Sequence, residues 1–215
     1  MFKILLAVSV LALPAAAQED KGDARLDKVA GAVSIVPAGS TKGVRAKGGE
    51  ALLYGDAVRT GPGAVAQVVL QDRGAVLIHE NTYFTLAGTP RRTMLSFARG
   101  EFLIGLKKKL ERGMSFRVRT PAAVAAVRGT LFWGKSDKEK TTTYAGFGHR
   151  IEVTALGKTV PVEAGQTVTI PFGQPPSDPK PHAIPLSYTE RFHVDGGLQG
   201  LEALVDLPKP PPAAE

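Results

Sequence analysis

The first candidates for catalysis or metal binding in this chain of 215 residues are its four histidines, His79, His149, His182 and His193. None has another histidine at the close spacing that a local metal site requires. The string "HEN" (79–81) lies between two apolar runs, which is typical of a loop rather than of an acid–base pair. Because the chain has no cysteine, thiol catalysis is excluded. We therefore predict that the chain is not an enzyme and has no catalytic residue, metal site or cofactor.

The string "GPGAVA" (61–66) matches the glycine pattern of a dinucleotide-binding loop on paper. That chemistry needs a strand, a tight turn and a helix whose N-terminus faces a pyrophosphate. Strand-like runs flank 61–66 on both sides, so this requirement is not met. The chain also lacks Gly-x-Ser-x-Gly and His-Glu-x-x-His motifs. A hydrolase without a recognised local motif stays open as an alternative.

Basic residues are concentrated in "GLKKKLERG" (105–113), which we expect to form a hairpin tip. An arginine pair lies one strand earlier and would meet this tip if the two strands pair. The candidate binding surface therefore consists of Arg91, Arg92, Lys107, Lys108, Lys109 and Arg112. It could bind acidic polymer, lipid headgroups or an acidic partner surface by summed Coulomb attraction. The alternative is a solvated hairpin whose lysines prevent pairing with another edge strand.

Short strands are the elements that position these residues. In "SFRVRT" (115–120), Phe116 and Val118 lie on one face, while Ser115, Arg117 and Arg119 lie on the other. The string "RIEVTA" (150–155) alternates in the same way, and turn formers separate such runs about every ten residues. The pattern predicts a single all-β domain of many short strands.

An internal similarity links "VRTPAAVAAVRGTLF" (118–132) to "VRTGPGAVAQVVL" (58–70), at an offset of 60 residues. In both copies a proline closely follows the threonine, which disfavours helical geometry and favours a strand that leads into a turn. A short helix over the alanines is the alternative, because alanine is the best helix former.

The first 17 residues have the layout of a secretory signal peptide: one lysine, an apolar stretch from Ile4 to Leu13, and small residues up to Ala17. The stretch is too short to cross a bilayer of about 30 Å. We expect cleavage after Ala17, a periplasmic location and no membrane span in the mature chain. The formal charge of +7 falls to +6 when Lys3 leaves with the signal peptide. An exported basic chain meets acidic polymers and lipids, so we expect no nucleic-acid partner.

Composition divides the mature chain into three parts. Residues 18–28 form an N-terminal leader, residues 29–170 carry the strand pattern, and residues 171–215 form a tail that begins with a proline-rich linker. Within the tail, "GLQGLEALVD" (197–206) spaces Leu198, Leu201, Leu204 and Val205 at helical intervals, which predicts a short helix. Without disulfides, a packed core has to stabilise the domain.

Five segments, in this order, resemble the FecR family of bacterial envelope proteins. They are "VAGAVSIV" (29–36), "LLYGDAVRTGPGAVAQVVLQDRGAVLI" (52–78), "LSFARGEFLIG" (95–105), "FRVRTPAAVAAVRGTLFWG" (116–134) and "VEAGQTVTI" (162–170). The resemblance implies an all-β periplasmic module, a twisted β-sandwich or solenoid-like roll, from regulators that relay signals from outer-membrane receptors to sigma factors. Here a signal peptide stands where those regulators carry an anti-sigma segment and a membrane span. We therefore expect the module alone, as a binding or scaffolding domain.

The resemblance also singles out signature residues for which we expect structural roles: Gly55, Asp56, Thr120, Pro121, Arg128, Gly129 and Thr130. Glycine serves turns that need a positive φ, and Asp56 is expected to accept hydrogen bonds from nearby backbone amides. An arginine between strands needs a carboxylate or several carbonyls, so we expect Arg128 to be satisfied within the β core. Contact between Arg128 and a ligand is the alternative.

Three functions follow from these patterns. The first is a non-enzymatic, soluble periplasmic FecR-like domain that binds an envelope protein in sensing or signalling. The second is a cell-wall or anionic-polymer-associated structural protein that uses the basic segment, and the third is a hydrolase. The first is favoured, because the lysine run (107–109) lies outside the segments that resemble the family.

Overall fold

The structure is a computed structural model that describes residues 23–106, 110–147 and 149–181. These residues contain seventeen strands, one 3₁₀ turn at Gln71–Arg73 and no α-helix. In chain order the strands are β1 (Ala24–Ala30), β2 (Val33–Val36), β3 (Val44–Arg45), β4 (Glu50–Leu52), β5 (Ala57–Thr60), β6 (Val65–Val69), β7 (Gly74–Ile78), β8 (Tyr83–Thr89), β9 (Arg92–Leu106), β10 (Ser115–Arg119), β11 (Val124–Val127), β12 (Leu131–Ser136), β13 (Thr142–Gly146), β14 (Ile151–Ala155), β15 (Lys158–Val162), β16 (Gln166–Ile170) and β17 (Lys180–Pro181). The all-β prediction is confirmed.

Hydrogen bonds join the strands into one sheet that folds over into two layers. We call the first layer sheet A, with the order β4-β1-β6-β7-β9-β12-β13-β16-β17. The second layer, sheet B, has the order β3-β2-β5-β8-β9-β10-β11-β14-β15. Strand β9 belongs to both, because its first half pairs with β8 and β10 and its second half pairs with β7 and β12.

The core lies between the two layers and is continuous through both. Phe84 and Phe97 of sheet B stack with ring centroids 5.1 Å apart, and Phe97 stacks on Phe102 of sheet A at 3.9 Å. Phe102 also meets Phe132 and Tyr144 edge-on, each at 6.4 Å. Burial of one phenylalanine side chain stabilises a fold by about 1.5–3 kcal/mol. This aromatic series therefore holds the two sheets together.

Strand β9 passes from sheet B to sheet A at Gly100, whose φ is +111°. A Cβ at this position would lie 2.2–2.5 Å from the Oγ1, Cα and Cβ atoms of Thr82. The Thr82 hydroxyl accepts a hydrogen bond from the backbone N–H of Glu101 at 3.1 Å. The crossing therefore requires glycine both for its backbone conformation and for its close contact.

Residues 118–132 form strands and turns, as the proline position predicted. Strand β10 ends at Arg119, residues 120–123 turn the chain, and β11 pairs back antiparallel to β10. In the first copy, β5 ends at Thr60 and the chain crosses to sheet A as β6. The two copies thus begin alike and then follow different paths.

Strands extend beyond the predicted range of 29–170 at both ends. Strand β1 begins at Ala24, within the predicted leader, because Ala24 and Leu26 face the core and alternate with polar residues. Strand β17 lies within the predicted linker and pairs with β16. The predicted signal peptide (1–17) and the candidate helix (197–206) lie outside the described residues. Among the described residues, no helix is long and apolar enough to span a membrane.

Candidate functional site

Exposed arginines cover the outer face of sheet B, on five different positions across four strands. We call this set the arginine face, and its members are Arg45, Arg59, Arg99, Arg117 and Arg119. Alternation places them there, because Val58 and Val118, which precede two of them, are buried in the core. The period-two pattern of the sequence thus produces a basic face opposite an apolar one.

Three of the side chains form one row across neighbouring strands. Arg59 of β5 lies directly opposite Tyr83 of β8, and Tyr83 lies directly opposite Arg99 of β9. Since neighbouring strands are about 4.8 Å apart, the backbones of Arg59 and Arg99 are separated by about 10 Å. The row continues from Arg59 to Ser34 and on to Arg45. Tyr83 therefore lies between Arg59 and Arg99 in this row.

A β-bulge brings Arg99 to this face. Phe97 pairs with Phe84, whereas Arg99 pairs with Tyr83, so Ala98 is an extra residue in β9. Strict alternation from buried Phe97 would point Arg99 into the core, yet Ala98 and Arg99 are both exposed. Bulges often redirect a side chain next to a functional site. The bulge therefore converts an inward position into a member of the arginine face.

The two copies of Val-Arg-Thr have equivalent environments. In each copy the valine is in the core, the arginine is on the arginine face and the threonine is buried. Thr60 accepts a hydrogen bond from the N–H of Thr82 at 2.9 Å and donates to the carbonyl of His79 at 2.6 Å. These bonds fix the end of β5, and with it the position of Arg59.

Thr120 has the corresponding role at the end of β10. Its hydroxyl accepts from the N–H of Ala123 at 3.2 Å and from the hydroxyl of Thr142 at 2.9 Å. The Tyr144 hydroxyl also donates to Thr120, at 3.4 Å. Burial raises the pKa of Tyr144 well above its usual value, although this hydrogen bond lowers it, so the phenol stays protonated and remains a donor. Thr120 therefore joins the turn after Arg119 to sheet A.

The arginine face has little acidic compensation. Within the described part of the chain, none of its five arginines forms an ion pair or a side-chain hydrogen bond, unlike Arg150, which pairs with Glu152 at 3.1 Å. Glu152 itself lies two strands from Arg117, with Ala126 between them. Like charges gathered on one exposed face repel one another, although salt screens this repulsion. An anionic surface that binds here would relieve that repulsion.

The structure describes only some of the residues in the predicted basic cluster. Lys107, Lys108 and Lys109 lie outside the described residues, while Arg91, Arg92 and Arg112 are exposed. The expected hairpin tip is wrong, because β9 and β10 are parallel and the chain between them returns from sheet A to sheet B. The N–H of Ser115 donates to the carbonyl of Arg91 at 2.9 Å, so the arginine pair and the segment that contains Arg112 do lie at the same end of sheet B.

Two signature residues shape the turn before β5. The carboxylate of Asp56 accepts from the N–H groups of Ala38 at 2.9 Å and Leu53 at 3.0 Å. Gly55 has a φ of +105°, and a Cβ there would lie 2.8 Å from the Cβ of Ala38. Pro121, half-buried, follows Thr120 in the β10–β11 turn. These residues are part of the scaffold.

The environment of Arg128 differs from the buried one that we expected. This arginine is exposed at the end of β11 and has no hydrogen bond or ion pair with the described residues, so its charge is not satisfied within the core. Because Val127 faces inward, alternation points Arg128 outward. Gly129, with a φ of +88°, turns the chain towards sheet A, and buried Thr130 donates to the carbonyl of His149 at 3.0 Å. Arg128 thus extends the basic outer side of sheet B.

The other residues that the sequence suggested for catalysis or binding do not come together in one site within the described part of the chain. The segment 61–66 joins two strands, β5 and β6, and "HEN" (79–81) is the loop between β7 and β8. No group of three or more histidine, aspartate or glutamate side chains that could hold a metal occurs among the described residues. His182 and His193 lie outside them.

The sequence predicts that Arg117 and Arg119 point away from the core, but the densest basic segment is the lysine run (107–109), which lies outside this face. The signal that could have identified the arginine face is the repeated Val-Arg-Thr, which places Arg59 and Arg119 equivalently. The contribution of Arg99 depends on the bulge and could not be read from alternation.

Comparison with known proteins supports the family resemblance. Residues 56–148 match the family model described as FecR protein. Two crystal structures of a "putative anti-sigma factor" from Parabacteroides distasonis share the fold, each with a TM-score of 0.52 and 18% sequence identity. Each match covers 59% of this chain and 59% of that chain, so it spans less than two thirds of either. No curated protein matches the chain.

The fold and the arginine face define a two-layered, all-β module with a basic outer face on sheet B. Residues 56–148, from just before β5 to just beyond β13, match the FecR family model, and the resemblance to this family is confirmed. They include both Val-Arg-Thr copies and four of the five members of the arginine face.

Proposed function

We propose that this chain is a non-enzymatic FecR-type module of bacterial envelope sensing or signalling, which acts by binding an acidic protein partner on its arginine face. The observation that carries the proposal is the row of Arg59, Tyr83 and Arg99, in which two arginines without an ion pair to any described residue lie on either side of a tyrosine. The FecR match and the fold shared with a "putative anti-sigma factor" support a regulatory role.

The side chains in this row suit a protein partner. Arginine and tyrosine are enriched among the residues that dominate binding energy at protein interfaces. An arginine fork can form two parallel hydrogen bonds with one carboxylate, which gives both strength and orientation. A basic face also speeds the encounter with an acidic partner, because it steers diffusion. The proposed partner therefore presents carboxylates around a small apolar contact for Tyr83.

The proposed partner is an envelope protein, because the sequence predicts export. The layout of residues 1–17 is that of a cleavable signal peptide, and we propose a periplasmic location on that basis. The proposal assigns the chain a contact role and no catalytic step.

Charge reversal tests the arginine face directly. A photo-crosslinking amino acid at Thr85, which is half-buried on the outer face of sheet B, would trap a bound partner in envelope preparations. We expect the crosslinked product with the wild-type chain and its loss in the double variant Arg59→Glu, Arg99→Glu. The matched control is Lys138→Glu, Lys180→Glu, which changes the net charge equally at exposed positions off this face. An unchanged product in the arginine variant, with native circular dichroism, contradicts the proposal.

A second candidate function, attachment to anionic envelope polymer, is supported by Arg117 and Arg119. These residues lie on one strand and one face, about 7 Å apart, so they could contact successive charges of a polymer. Retention on an acidic polysaccharide column would then weaken with salt, since exposed charges are screened over about 8 Å at physiological ionic strength. Loss of retention on reversing Lys107, Lys108 and Lys109, but not the arginines, would assign the binding to the lysine run.

A further inference from the structure

The outer face of sheet A has a buried apolar centre, with buried Gln67 and Glu101 beside it, although a sheet face that points away from the core normally meets water. Its buried apolar members are Ala75, Leu77, Leu103, Leu131, Trp133 and Ala145. None of them belongs to the core cluster between the two sheets. Leu77 is 0% exposed, Leu103 is 2% exposed and Trp133 is 7% exposed. We call this set the sheet A patch.

The register makes the sheet A patch continuous. Leu77 of β7 lies opposite Leu103 of β9, and Leu103 lies opposite Trp133 of β12. Trp133 in turn lies opposite Ala145 of β13, so one apolar row crosses four strands. Phe102 and Ile104, which flank Leu103 in the chain, belong to the core cluster, so Leu103 points to the other side of the sheet.

None of the described elements lies over the sheet A patch. All seventeen strands belong to sheets A and B, and the described residues contain no α-helix that could lie over the patch. A face of this composition gains free energy from losing water, and its side chains are already out of contact with it. These side chains are therefore buried with no described element over them.

We propose that the tail of the chain, residues 182–215, covers the sheet A patch, with its apolar segment 197–206 docked as an amphipathic helix. Strand β17 ends at Pro181 on the edge of sheet A, so the tail starts beside this face. The distance from β17 to β9 is four strand spacings, or about 19 Å. The 15 residues between Pro181 and Gly197 can span about 50 Å, so they are long enough to cross it. Leu198, Leu201 and Leu204 recur at helical spacing and supply the apolar side.

The N-terminal residues are the competing occupant, because β1 also belongs to sheet A and residues 1–22 include an apolar stretch. The tail is the better fit, since the predicted cleavage after Ala17 removes that stretch from the mature chain. The tail is also acidic, with five acidic and two basic side chains in residues 182–215, and exposed Lys135 lies beside Glu101 at the rim of the patch.

Trp133 provides a direct test, because it is the only tryptophan in the chain. In the full-length chain, Leu201→Glu should shift the Trp133 emission to longer wavelength and raise its quenching by acrylamide severalfold. The matched control is Ala203→Glu, which adds the same charge on the opposite side of the proposed helix. We expect that variant to keep the wild-type emission and quenching.

Several outcomes would overturn the proposal. One is wild-type emission in Leu201→Glu, or an equal shift in both variants. Another is a shift of the emission in a chain that starts at Gln18, which would assign the cover to the N-terminal residues. A third is emission that depends on protein concentration together with a dimer in sedimentation, which would assign it to a second copy. If Leu201→Glu does not fold, the same comparison is made with Leu201→Ser.

Discussion

Arginine has two distinct roles in this molecule, and the surroundings of each guanidinium decide which. Arg73, half-buried after β6, donates to the carbonyl of Pro90 at 2.8 Å and to the hydroxyl of Thr93 at 2.5 Å. It also donates to the hydroxyl of Tyr54 at 3.5 Å. Arg128 is exposed and has no such partner among the described residues. Arg73 is therefore the arginine that the scaffold needs.

We expect replacement of Arg73 and replacement of Arg128 to have different effects on stability. Arg73→Ala leaves a carbonyl and two hydroxyls without their donor, so we expect the free energy of unfolding to fall by about 1–3 kcal/mol. Arg128→Ala is a surface change and should stay within about 0.5 kcal/mol of the wild type. Urea denaturation followed by circular dichroism measures both. A larger loss in Arg128→Ala than in Arg73→Ala would restore the buried role first expected for Arg128.

At the scale of the elements, β9 shows what alternation alone does not predict. Its 15 residues contain a bulge at Ala98 and a positive φ at Gly100, so they break period two just where the strand changes sheets. The sequence "LSFARGEFLIG" has the apolar pattern of strands on both sides of this point. The bulge depends on pairing with Tyr83, which is a contact with another strand. A local pattern therefore predicted the strand but not the direction of Arg99.

Gly100 should be among the least replaceable residues of the domain. Gly100→Ala combines a left-handed backbone conformation, which costs a non-glycine residue about 1–2 kcal/mol, with a clash against Thr82. We expect it to destabilise the domain by more than about 2 kcal/mol or to prevent folding. Gly165→Ala is the matched control, because Gly165 has a φ of +75° and open space around its Cβ position. Equal thermal stabilities of the two variants would show that the contact with Thr82 is not a constraint.

At the scale of the whole molecule, the sequence predicted the all-β class, the turns and the family, because these depend on alternation and on turn residues. The order of strands was not predictable. The parallel pairing of β9 with β10 brings together residues such as Leu95 and Val118, and nothing near either residue in the chain specifies that contact. The same holds for the sheet A patch, since a strand buried on both faces, such as "GAVLI" (74–78), has no periodicity.

Export is the prediction that concerns the entire chain. Because the apolar stretch is short and small residues follow it, we expect a periplasmic fraction to contain a mature form that begins at or near Gln18. N-terminal sequencing or intact mass measures the start. Replacing Ala15 and Ala17 with bulky residues should block cleavage. Recovery of the uncleaved wild-type chain in membranes would contradict the prediction.

Strand β9 also connects the two outer faces of the molecule within three residues. Arg99 belongs to the arginine face, Gly100 is the crossing point, and Glu101 lies on the outer side of sheet A, where it accepts a hydrogen bond from the indole N–H of Trp133 at 3.1 Å. A partner bound at Arg99 and a tail docked beside Trp133 would both act on the backbone geometry at Gly100. Their binding free energies would then be coupled, and the coupling has the same size in both directions. Release of the tail would therefore change the affinity for the partner. Binding of the partner would in turn change the affinity of the tail for the opposite side of the domain.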